Sequence, residues 1–136
     1  MDMKKQVAAL AADEKSVVMW DVDMLLSDCE NRPILTVATE LLIPKEWLTL
    51  DRAYAMTTDT TSPILLFELP HGKLFIADGN HRVYRASAEK IETMNAIVIP
   101  EEEHLRYLFQ CTAEEYRVVI EALMDEGIFI DNFLHK

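Results

Sequence analysis

Glycine and proline are scarce in this chain, at three and five of 136 residues. That excludes collagen-like and linker-rich architectures, which need those residues at several times such frequencies. Cysteine is nearly as rare. Cys29 and Cys111 stand far apart, with no C-x-x-C or H-x3-H spacing beside them. Neither zinc, haem nor dithiol chemistry is therefore expected, only two ordinary thiols in a reducing cytoplasm. Long apolar runs are missing too, since nothing approaches the ~20 residues of a membrane-spanning helix. The short apolar stretch at 7–12 runs straight into Asp13-Glu14-Lys15, unlike a secretion signal. Basic residues are the last shortage. Thirteen Lys and Arg face 24 Asp and Glu, a formal net charge of −11. A surface that negative repels phosphate backbones and anionic lipid, so no direct nucleic-acid or membrane partner is expected.

What remains is a globular composition, half apolar and 27% charged, at a length that suits one domain over residues 1–136. Residues 3–14 read as a short alanine-rich helix with Val7, Leu10 and Ala11 on one side. Trp20, Val22 and Met24 alternate with Asp21 and Asp23, the period of a half-buried strand. Residues 27–33 form a polar turn, 34–43 are ambiguous between strand and helix, and 45–56 carry Trp47, Leu48, Leu50 and Ala55 at loose helical spacing. The middle is sharper. A strand over 64–69, a Pro70-His71-Gly72 turn and a strand over 73–77 make a hairpin. Asp78-Gly79-Asn80 breaks the chain before a helix over 81–90, and 95–99 is a third short strand. Pro100 and three glutamates open a helix, and Thr112-x-x-Glu115 is a capping box before an apolar stripe that Gly127 should stop. The tail at 128–134 is too apolar to hang free and should pack on the domain or on another subunit. The sum is an α+β fold, a small mixed sheet with flanking helices and a helical C-terminal segment over 101–136.

Charge is unevenly spread. Residues 1–70 and 101–136 are each net −6, whereas 71–90 are net +2 and also hold His71 and His81. That one electropositive island coincides with the strand–turn–helix around Asp78-Gly79-Asn80-His81-Arg82. A strand turning through Asp-Gly into a helix aims the free N–H groups of the first turn at one spot, with the positive end of the helix dipole behind them. Gly79 allows close backbone approach, Arg82 offers a bidentate fork, His81 a titratable donor, and Arg85 lies one turn further on the same face. Asp78 at the strand end is a candidate acid, base or metal ligand. A plainer reading stands beside this. Asp-Gly is also a hairpin turn, residues 81–85 could leave as a strand, and the two arginines could pair with surface carboxylates.

The segment Ile76-Ala-Asp-Gly-Asn-His-Arg-Val-Tyr-Arg-Ala86 resembles the phosphate-binding turn of the ParB/sulfiredoxin superfamily, whose members carry D-G-x-H-R or G-x-x-R-x-x-A between a strand and a helix. Ser62-Pro63-Ile64 resembles the family's P-I-x-V strand, and Ala96 to Pro100 sits where its next strand falls. The likeness covers about residues 17–100 and is specific over 62–100. It implies phosphate or nucleotide binding by Gly79, Asn80, His81, Arg82 and Arg85, with Asp78 and His81 as catalytic candidates and Asp78 as a metal ligand. ATP, ADP or CTP with Mg2+ would be the cofactors. Sulfiredoxins carry a cysteine where this chain has Asn80, so their repair chemistry is not expected. ParB proteins continue into a DNA-binding module for which the acidic residues 101–136 are too short. The free serine kinases of the superfamily match the D-G-x-H-R turn best. Their second carboxylate would fall among Glu40, Glu46 and Glu68, which nothing ranks.

Two functions follow as expectations. One is a stand-alone domain that binds a nucleotide or phosphorylated small molecule at Asp78–Arg82, with Mg-dependent phosphotransfer or hydrolysis as its chemistry. The other is a non-catalytic accessory protein of plasmid or phage type, whose acidic run at Glu101, Glu102 and Glu103 meets a basic protein partner. The apolar tail makes a homodimer plausible. ParB-like nuclease activity is a third option that the negative surface opposes.

Overall fold

The computed structural model describes residues 6–29, 31–47 and 50–134. Glu30, Leu48 and residues 3–5 of the expected first helix lie outside the described residues. The chain opens with an antiparallel hairpin of β1 (Val7–Ala11) and β2 (Val17–Asp21). The alanine-rich helix expected at 3–14 is therefore a strand where it is described. Ala8 and Leu10 are buried while Val7, Ala9 and Ala11 are exposed, so burial with a period of two overrides alanine's helical preference. The strand expected through Met24 stops at Asp21, whose carboxylate accepts the Met24 N–H (3.0 Å) and caps helix α1 (Val22–Asp28).

The ambiguous residues 34–43 do both things in turn, as strand β3 (Leu35–Ala38) and then a 3-10 turn over Thr39–Leu42. Of the loose helix at 45–56, one turn exists among the described residues, α2 (Arg52–Ala55), capped by Asp51. The middle is as expected. Strands β4 (Ile64–Leu69) and β5 (Lys73–Asp78) form the hairpin, helix α3 (Asn80–Ala88) follows, and β6 (Thr93–Ile99) returns beside β4 in parallel. Next come the short helix α4 (Glu101–His104) and the longer α5 (Ala113–Leu123). Both halves of the Thr112–Glu115 capping box are made. Helix α5 ends before Gly127, which instead turns the chain beyond it at φ 79°. The tail packs on its own sheet. Strand β7 (Ile130–Asp131) pairs with β5, and Phe129 and Ile130 are buried. The reason the tail offered for a second subunit is thereby spent within the chain.

The result is an α+β fold with a mixed five-stranded sheet in the order β3-β6-β4-β5-β7. One face of the sheet, through Leu65, Phe67, Phe75 and Ile99, packs on the first hairpin, α1 and α5 around Trp20 and Tyr116. The other, through Ile64, Leu66, Leu74 and Ile76, receives Val83 and Ala86 of α3. Helix α3 is thus anchored by its apolar stripe, with its N-terminus at the end of β5 where Asp78 stands. No helix among the described residues is long and apolar enough to cross a membrane.

Candidate functional site

The turn between β5 and α3 is built on a glycine. Gly79 has φ 115°, a conformation that L side chains rarely adopt. A Cβ there would also meet Ile64 Cγ2 at 2.6 Å, and Ile64 is wholly buried in β4. Two independent constraints therefore demand glycine at the crossing. The outgoing-strand alternative is excluded, because residues 80–88 are helical. No side chain caps α3, so its leading N–H groups at Asn80, His81 and Arg82 lie in the first turn, where a helix has no partners of its own for them.

The basic side chains of α3 are engaged. Arg82 donates through Nη1 to the carbonyls of Pro63 (2.6 Å) and Ser62 (3.3 Å), and through Nη2 to Asp78 Oδ2 (3.0 Å). Its side chain keeps only 19% of its exposure. Arg85 donates to the carbonyl of Thr58 and to Glu89. His81 accepts the backbone N–H of Asp51 at Nε2 (3.0 Å), which leaves its ring proton on Nδ1, and the Tyr54 ring stands edge-on to it at 4.9 Å. The plainer reading of the arginines is thus met in part: Arg82 pairs with Asp78 at the end of β5 and Arg85 with Glu89 just past α3, each four residues away in sequence.

Neither a family model, nor a curated protein, nor a solved structure matches this chain. The site therefore rests on its own geometry.

The structure brings Asp78, Gly79, Asn80, His81, Arg82 and Arg85 to one turn and one helix. It does not bring a second carboxylate from the expected set. Glu40 lines a cleft of about 490 Å3 with Ser87 and Lys90, at the far end of α3. Glu46 lies against Gly127, its N–H bonded to that residue's carbonyl. Glu68 sits opposite Leu74 in the hairpin register, at the other end of the strands from Asp78. Two acids that the motif did not single out meet the basic side chains of α3. Asp51 meets His81 through its backbone, and the charge of Arg82 reaches Asp59. The Asp59 carboxyl is held below its ordinary range by the hydroxyl and N–H of Thr61 and the hydroxyl of Ser62, with Arg82 adding to them. The signal for both was present as Asp-x-x-Tyr and Asp-x-Thr-Ser, patterns of a helix cap and an Asx turn.

Asp78 was expected to double as a metal ligand. Among the described residues no three His, Cys, Asp or Glu side chains gather into a metal-binding group. Asp78 also gives one oxygen to Arg82, so the donors at the turn do not make a protein cage for Mg2+. The acidic run at 101–103 is partly used inside the fold as well. Glu101 accepts the buried Tyr116 hydroxyl at 2.7 Å and Glu103 pairs with Arg32, while Glu102 is exposed.

Proposed function

We propose that the β5–α3 turn binds a phosphate group of a nucleotide or phosphorylated small molecule, as the likeness of residues 62–100 to the ParB/sulfiredoxin superfamily implies. The observation that carries the reading is the crossing itself. A glycine in the left-handed region delivers an uncapped helix start, and it does so within the only electropositive segment of an otherwise acidic chain. Backbone N–H groups and the helix dipole are fixed donors that cost little reorganisation when an anion arrives. The reading is one of binding. Asp78 and His81 are both held in contacts of their own, so neither is assigned a chemical step, and none is routed through a metal.

Calorimetric titration with ATP, ADP, CTP and inorganic pyrophosphate, with and without Mg2+, tests it. An Asn80→Asp variant is the informative control, because an acid in the first turn suits the helix dipole yet repels a bound anion. At least one of these ligands is expected to bind the wild type and to lose about tenfold or more in affinity to the variant, the scale of ~1–2 kcal/mol. Equal affinity for both proteins would refute the site.

A further inference from the structure

Three side chains of α3, at positions 81, 82 and 85, reach the backbone of a single connection, residues 51–63. His81 takes the Asp51 N–H, Arg85 the Thr58 carbonyl, and Arg82 the carbonyls of Ser62 and Pro63. Beyond these, Asn95 Nδ2 donates to the Thr61 carbonyl at 3.4 Å and the Arg52 guanidinium lies over the Tyr84 ring at 5.9 Å. Ala55 is the only buried residue from 51 to 63, and the rest are exposed or half-buried. The internal order of the connection comes from short-range polar contacts. Asp51 caps Tyr54, and Asp59 binds Thr61 and Ser62.

We infer that residues 51–63 form a strap that the basic side chains of α3 hold against the helix, and that a phosphate bound at the turn releases. The inference rests on the reading of the turn as a phosphate site. A guanidinium binds an anionic phosphate more strongly than a neutral carbonyl, because the hydrogen bonds are charge-assisted and can be bidentate. What the strap offers Arg82 and Arg85 is neutral carbonyls only; their carboxylate partners, Asp78 at the end of β5 and Glu89 just past α3, lie outside it. An arriving phosphate therefore competes for these forks on favourable terms, and the strap loses its clasps. While the strap is shut the arginines are occupied, so the apparent affinity for phosphate is lowered by the fraction of time it stays closed.

Amide hydrogen exchange over residues 51–63, read with and without inorganic pyrophosphate, tests this on the wild-type chain. A second arm titrates pyrophosphate into a Tyr54→Ala variant, which removes the ring against His81 without changing any charge. Faster exchange in the strap on binding, with several-fold tighter binding by the variant, is the expected result. Binding only to the variant would support the strap equally, as a latch that is shut in the wild type. Pyrophosphate binding with strap exchange unchanged or slowed would overturn the strap and leave the phosphate site standing. No binding to either protein would remove the site and the strap with it.

Discussion

Gly79 is where the fold and the proposed site depend on the same atom. Replacing it with alanine forces a side chain into φ 115° and drives Cβ to 2.6 Å from a buried methyl of Ile64. Strain at a left-handed residue and overpacking each cost ~1–3 kcal/mol, so Gly79→Ala is expected to lose about 2–4 kcal/mol in urea denaturation. Arg82 carries a comparable load. Its guanidinium joins β5 to the strap through three hydrogen bonds, to Asp78 and to the carbonyls of Ser62 and Pro63. Hydrogen bonds to charged groups are worth ~1.5–3 kcal/mol each, though not additively, so Arg82→Ala should destabilise by about 2–4 kcal/mol. Arg82→Lys should recover only part of that, because an ammonium lacks the planar fork whose separate Nη1 and Nη2 donors reach the carbonyls and the Asp78 carboxylate. The same denaturation curves settle both. At this scale the motif residues were legible in sequence, since Asp-Gly ahead of a helical pattern admits few backbone paths. The partners of Arg82 were not. Carbonyl acceptors carry no side-chain signature, and Ser62 and Pro63 reach the guanidinium only because β4 lies beside β5.

Among the elements, α4 shows how a short helix with an acidic start can serve the core instead of a partner. It ends in His104, which is wholly buried, stacked on Phe67 at 4.5 Å between ring centres and crossed by Trp20 and Tyr116. Trp20 Nε1–H donates to Nδ1 at 3.2 Å, and Nε2–H donates to the Glu68 carbonyl at 2.8 Å. Burial pushes the imidazole from 6.5 down to about 4, against the opposing pull of the Glu68 carbonyl and the nearby Glu102 and Glu68 charges. Between those values the unfolded chain binds more protons than the folded one, so protonation favours unfolding. The contribution is fully present above pH 6.5 and is lost as pH falls toward 4, by about 3 kcal/mol in total. Urea midpoints followed by tryptophan fluorescence should drop across that window. A His104→Gln variant should show a flatter profile there, and an unchanged profile would contradict the assignment. None of this was visible in the sequence, where His104 stood in an acidic run. Its burial follows from α4 packing beside β4, a long-range contact. Strand β1 eluded sequence reading for a related reason, whereas its partner β2 was legible from the alternation around Trp20. Alanine's preference favours a helix at 7–11, and only pairing with β2 makes the alternating burial worth more. The β4–β5 hairpin, α3 and α5 were legible because each is bounded by local turn or cap chemistry.

For the whole molecule, the charge distribution decides which anions are acceptable. A net of −11 with one basic segment opposes a polyanion that must contact many points, whereas a single phosphate needs only one turn. The chain is accordingly expected to leave the mobility of duplex DNA unchanged at ~0.1 M salt even at micromolar protein. A retarded band would reopen the nuclease and DNA-binding readings. The fold supports the same division. The sheet is covered on one face by the first hairpin with α1 and α5 and on the other by α3, and the tail closes the β5 edge through β7. Glu68 stands at the far end of the hairpin from Asp78, Glu46 lies against Gly127, and Glu40 lies beyond β3 with the far end of α3, so none of the three belongs to the turn. The backbone amides of the β5–α3 turn are the most direct witnesses of the central claim. In a nitrogen–proton correlation spectrum titrated with inorganic pyrophosphate, the amides of residues 79–83 should shift together along one saturable curve, and those shifts should shrink in Asn80→Asp. Shifts absent from that turn, or confined to exposed lysines elsewhere on the surface, would contradict it.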